Sequence, residues 1–340
     1  MKQRLFVTLS LAGLAMSTFG ATKPKTAIKS LNKTTIQQPT YTEWHDLQVN
    51  AINRFPLHTN FFTYPADDWV SEKDGKIVSK DILHMNKAES KYFLSLDGTW
   101  KFNWVANADQ RPTDFYKEDL DDSKWKTMNL PGIWEMNGFG DPEYVNVGFG
   151  WRGHFDQQPP AVPTKDNHVG SYRRIIDIPA NWDGKQVVAH FGSVTSNIYL
   201  YVNGKFAGYA EDSKVAAEFD ITPYLKKGKN LIAFQTFRWC DGSWDEDQDF
   251  WRLSGVARES YLFARDAQLH LEDIRVTPDL VNNYKDGVLN ISTKVKGNGK
   301  LVFTLFDKDG KQVATTTGVA KNGTANFSLQ VANPQKWSAE

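Results

Sequence analysis

From Leu94 onward, apolar and polar positions alternate over short runs. Thr99-Trp100-Lys101-Phe102-Asn103-Trp104 switches residue by residue, as a half-buried strand must. Ser171–Ile178 reads as another strand, stopped by Pro179, and Val187–Phe191 and Leu231–Phe237 read likewise. Ile198–Val202 runs through Asn203-Gly204 into Lys205–Tyr209. Asn-Gly supplies two positive φ angles, so the spacing predicts a hairpin with a type I′ turn. No helical period is sustained here. Many short strands between turn signals predict an all-β sandwich or barrel over 93–265.

A second alternating unit follows, over 266–340. Asp273–Pro278, Gly287–Ser292 and Lys300–Phe306 alternate, and Asp309-Gly310 predicts a turn before the next strand. This pattern suits an immunoglobulin-like sandwich, expected to be incomplete at its C-terminus because Trp337-Ser338-Ala339-Glu340 falls inside an unfinished strand-turn unit.

Before Leu94 the pattern is different. Met1-Lys2-Gln3-Arg4 is basic, Leu5 to Phe19 is apolar, and Gly20-Ala21 is small, which reads as a secretory signal peptide over 1–20. The apolar stretch is short for a membrane span. Residues 21–92 read as a linker and an extended N-terminal arm, polar to about residue 40 and then aromatic, with Trp44, Phe55, Phe61, Phe62 and Tyr64. Cys240 is the single cysteine, so no intrachain disulfide can form. An exported chain of this kind depends on its core, and a periplasmic location is expected.

Forty basic residues balance forty acidic ones, so no nucleic-acid partner is indicated. The 12 Trp, 12 Tyr and 21 Phe exceed ordinary usage; most read as sandwich core, and some are expected to line a carbohydrate site. The densest chemistry lies in Arg238–Gly255, where five carboxylates and three tryptophans share one segment. Such acids repel one another unless they meet a cation or a hydroxyl-rich ligand. Rings beside acids suit a sugar.

Other chemistries fit poorly. Asp245, Asp247 and Asp249 have the first spacings of a calcium loop, but Phe250 and Val256 occupy the positions that need Gly and Glu. Its acids could equally cap turns or pair with Arg238, Arg252 and Arg258. The histidines lack zinc spacing, there is no GxSxG elbow, and the short Gly-Phe-Gly runs lack a helix for phosphate. A glycosidase needs two carboxyls at least about 5 Å apart on opposite sides of the bond, which neighbours on one loop seldom provide.

Several segments carry a family resemblance. Leu94–Phe102, Pro131–Glu135, Gly138–Val147, Pro159–Pro163, Val169–Arg174, Val202–Gly204 and above all Arg238–Gly255 resemble the N-terminal part of the large bacterial β-galactosidases of glycoside hydrolase family 2. The resemblance implies a jelly-roll sugar-binding domain, then an immunoglobulin-like domain, then a TIM barrel with both catalytic glutamates, the last lying outside this chain. No catalytic residue is therefore expected here. The resemblance implies that Asp249, in the Glu-Asp-Gln-Asp motif, holds galactose hydroxyls and a sodium ion shared with the barrel. It also implies an amide before the Pro-Pro-x-Val-Pro stretch; here Gln158 stands there, with Asp156 and Gln157 beside it. Magnesium or calcium is expected as a further ion of the full-length enzyme. The expected partners are a β-galactoside or oligosaccharide, the barrel of the same polypeptide, and a second copy in a homo-oligomer. A stand-alone carbohydrate-binding module and a β-glucuronidase or β-mannosidase relative are the alternatives.

Overall fold

The computed structural model describes residues 6–9, 38–65, 68, 70–73, 76–79, 85–153 and 155–337. The chain divides into two compact units. One comprises Ile36–Leu57 and Tyr92–Ala264; the other comprises His58–Lys91 and Arg265–Glu340, together with the N-terminal residues. Both are β-sandwiches. No helix among the described residues is long and apolar enough to cross a membrane.

The larger unit is built on a seven-stranded sheet. Its strands lie in the order Ala51–Ile52, Lys205–Ala210, Ile198–Val202, Gly228–Phe237, Val169–Ile178, Gly98–Val105 and Lys126–Leu130. The hairpin is as the spacing predicts: Asn203 and Gly204 have φ of 49° and 75°. A four-stranded sheet, Ala217–Asp220, Gln186–Phe191, Ser260–Arg265 and Phe93–Ser95, faces it. Trp100, Phe102, Tyr172, Phe191, Phe219 and Phe234 fill the space between the sheets. Tyr172 and Phe234 stack there at 4.3 Å.

The large sheet is buried on its second face as well. Along Ile198–Val202 every residue is buried, with Ile198, Leu200 and Val202 in the inter-sheet core and Tyr199 and Tyr201 in a separate cluster. Burial on both faces explains why this strand is apolar throughout instead of alternating. The second cluster is covered by loops and by the N-terminal arm, whose Trp44 stacks on Phe237 at 5.1 Å. That cover is the foundation of the candidate site.

In the smaller unit, His270–Val281, Asp286–Lys296 and Thr324–Val331 form one sheet. Lys300–Phe306 and Gln312–Val319 belong to the other. Alternation is clean along Asp286–Lys296, where Leu289, Ile291 and Val295 point to a core shared with Leu301, Phe303 and Leu305. Pro278 lies within the first strand, which is tolerated because that strand is at the sheet edge. Of the segment read as a signal peptide, only Phe6–Leu9 lies within the described residues, as a strand antiparallel to Lys300–Phe306. Most of the polar linker lies outside them.

Candidate functional site

The acidic run leaves the centre of the large sheet at Phe237. Its root is fixed by Asn167, whose Oδ1 accepts from the Trp239 amide at 2.9 Å and whose Nδ2 donates to the Trp239 carbonyl at 3.0 Å. Asn167 is fully buried, so both bonds replace solvation its amide has lost. Trp239 is buried and Trp244 half-buried; both pack on Trp151, at 5.3 and 4.9 Å, and Trp244 also meets Phe149 at 4.2 Å. Two of the three tryptophans are thus core and do not line an open carbohydrate site. Only Trp251, 54% exposed, faces solvent.

The acids take different roles. Asp247 pairs with the buried guanidinium of Arg252, and Glu246 accepts from the Ser213 amide at 2.7 Å. Arg238 instead pairs with Glu143 at 3.1 Å, and Arg258 donates to the Lys214 carbonyl at 2.6 Å. Asp245 is exposed.

Asp249 is exposed at the start of the strand Phe250–Arg252. That strand pairs antiparallel with Glu143–Val145, setting Phe250 opposite Val145, Trp251 opposite Tyr144 and Arg252 opposite Glu143. The Tyr144 hydroxyl donates to Asp249 Oδ1 at 2.5 Å. This bond holds the Tyr144 phenol above its ordinary pKa. Exposed Asn146 follows Val145, the last paired residue of that strand.

Asp156 and Gln158 are exposed in the loop before the proline pair. Neither side chain bonds Asp249 among the described residues; the Gln158 carbonyl accepts from the Ala161 amide at 3.0 Å, closing the local turn. This loop and the acidic run meet through Trp244, whose indole donates to the Ala161 carbonyl at 3.0 Å. Tyr144 escaped the sequence reading because about a hundred residues separate it from Asp249. Only non-local strand pairing joins them.

The other end of the run is buried. Glu211, Cys240 and Asp241 bring ligand atoms within 4.8 Å of one another. The Tyr209 hydroxyl donates to Glu211 Oε1 at 2.5 Å, and Asp241 Oδ1 has no hydrogen-bond partner among the described residues. Burial pushes the Glu211 carboxyl up to about 8, helped by the Asp241 charge. Burial also raises Asp241, with a contribution from Asp46. Two buried carboxyls this close cannot both ionise at little cost, so they hold a proton or a cation between them. The oxygens suit a hard divalent ion. Burial raises the Cys240 thiol as well, which keeps its sulfur protonated and a poor ligand for such an ion.

The chain is an all-β protein of two sandwiches that presents one oriented carboxylate on a surface ribbon. Residues 93–266 match the sugar binding domain of glycosyl hydrolases family 2, and residues 269–340 match a further domain of that family. The chain belongs to glycosyl hydrolases family 2. It is 35% identical over 313 residues to a beta-galactosidase of Priestia megaterium, covering 88% of this chain and 29% of that protein. It is 36% identical over 299 residues to a beta-galactosidase of Halalkalibacterium halodurans, covering 87% and 28%. The chain therefore spans less than a third of these relatives. A Bifidobacterium dentium beta-glucuronidase structure, solved with coumarin-3-O-glucuronide, superposes over 72% of this chain and 42% of that one, with a TM-score of 0.55 at 17% identity. At that identity the likeness concerns the fold alone.

Proposed function

We propose that this chain is the N-terminal, sugar-site part of a retaining β-galactosidase acting on terminal β-D-galactosides. It contributes Asp249 to the galactose subsite, while the acid and nucleophile glutamates come from a barrel later in the same polypeptide. The carrying observation is the display of Asp249: the one acid of the run's C-terminal half that is both exposed and oriented by a neighbour, in a chain 35% identical to a beta-galactosidase. A carboxylate accepts two short, charge-assisted bonds from hydroxyls and also suits a sodium ion. Contacts remote from the reacting carbon can be realised as ring distortion there, which lowers the barrier. Asp156 and Gln158 lie on a loop tied to the acidic run, and Gln158 is proposed as an amide contact from its rim. The test is turnover of a chromogenic β-galactoside by full-length polypeptide against the purified 340-residue chain. Activity in the latter, free of contaminant, rules out a barrel-borne catalytic pair.

The Glu211–Asp241 pair is proposed to hold magnesium or calcium. The orphaned Asp241 oxygen and the raised Glu211 carboxyl fit an ion that would take the place of the shared proton. At that position the ion would tie the Ala210–Glu211 strand end to the root of the acidic run. The chain is also proposed to be exported to the periplasm and to form homo-oligomers. N-terminal sequencing of exported protein checks the first, and light scattering the second; an intact Met1 rules out the signal peptide.

A further inference from the structure

We propose that Tyr144 is a positioning residue that orients Asp249 for a sugar hydroxyl and its cation, a role that rests on the reading of Asp249 above. The ribbon of Glu143–Val145 and Phe250–Arg252 is anchored from one side. Glu143 accepts from Arg238 at 3.1 Å and the Val145 carbonyl from Arg252 at 3.3 Å, and both arginines are only 5% exposed. Side chains alternate along a strand, so this anchoring turns Tyr144 outward. It is 51% exposed beside its cross-strand partner Trp251, with ring centroids 5.5 Å apart.

From there the Tyr144 hydroxyl reaches Asp249 Oδ1 at 2.5 Å. An exposed aspartate has two free torsions, and a lone carboxylate on a loop would sample many orientations. A donor from a neighbouring strand fixes one oxygen and the carboxylate plane, leaving Oδ2 for a ligand. The phenol stays protonated, because Asp249 resists ionisation of its donor. A hydrogen bond this exposed contributes little to stability, since water competes for both partners. Its value lies in preorganisation, which lowers the ordering cost at binding.

The test compares Tyr144→Phe, Asp249→Asn and the double variant in full-length polypeptide. Two quantities are read: kcat/KM for a chromogenic β-galactoside, and the equilibrium affinity for methyl 1-thio-β-galactoside. Tyr144→Phe is expected to lower both by about five- to twentyfold with unchanged Tm, and to add nothing in the Asp249→Asn background. Wild-type values in Tyr144→Phe, with Asp249→Asn impaired, overturn the role of Tyr144 and leave Asp249 standing. Losses that add in the double variant overturn it too, since Tyr144 would then act independently of Asp249. Wild-type behaviour in Asp249→Asn removes the underlying reading itself.

Discussion

The two ends of the acidic run carry the same side chain in opposite environments. Asp241, at the root, is buried beside Glu211 and Cys240, and burial raises its carboxyl pKa. Asp249, eight positions later, is exposed at the ribbon and held by a tyrosine. Between them, Asp247 is partly buried and neutralised by Arg252. Whether a carboxylate holds the fold together, binds an ion or waits for a ligand is set by what surrounds it. Charge density along the chain does not distinguish these cases.

Four experiments break or sharpen this contrast. The largest effect is expected at the anchor between the two ends. Arg252→Ala leaves the Asp247 carboxylate partly buried without its partner, and should cost about 3 kcal/mol or more of unfolding free energy, measured in urea. A loss under about 0.5 kcal/mol would show the ribbon to be held by something else. Next, Asp249→Asn keeps shape and removes charge. In full-length enzyme it should lower kcat/KM for a galactoside by roughly ten- to hundredfold, with Tm unchanged. Unaltered turnover and sodium dependence would make the exposed end structural like the buried one.

The third experiment addresses the buried end. Its folded-state carboxyl lies at about 8 against an ordinary 4.5, so Glu211 keeps a proton that the unfolded chain gives up over that interval. The unfolded state then binds fewer protons, and stability falls as pH rises from about 4.5 through about 8. Glu211→Gln should flatten that fall by a few degrees in Tm, and should abolish any rise in Tm on adding magnesium or calcium. A divalent-ion response that survives in Glu211→Gln would move the ion elsewhere. The smallest effect is expected for Asp245→Asn. Asp245 is exposed, and stability and turnover should stay within experimental error of wild type. A tenfold loss of turnover there would show that exposure alone does not pick out the functional acid.

Much of the architecture was legible without coordinates. Lys300–Phe306 was legible because period-two patterning reports a one-faced strand directly, and Val187–Phe191, buried throughout, was legible to within a residue as a short apolar run. The Asn203-Gly204 turn followed from local backbone sterics. The family membership was legible in the Arg238–Gly255 run.

The same local rules could not sort the run's aromatic rings. Trp239, Trp244 and Trp251 look alike in sequence, yet the first two pack on Trp151 and the third faces solvent. Nor could they find the partners of its acids. Glu211 lies 30 residues from Asp241, and Tyr144 lies 105 from Asp249. The sequence by itself determined the strands, the tight turn, the two-sandwich order and the segment where the chemistry concentrates, since these depend on neighbours along the chain. The tertiary structure alone decided which carboxylate is buried, which is neutralised and which is presented. Burial, charge pairing and hydrogen bonding are set by contacts between distant segments, and a carboxylate's role follows from those contacts.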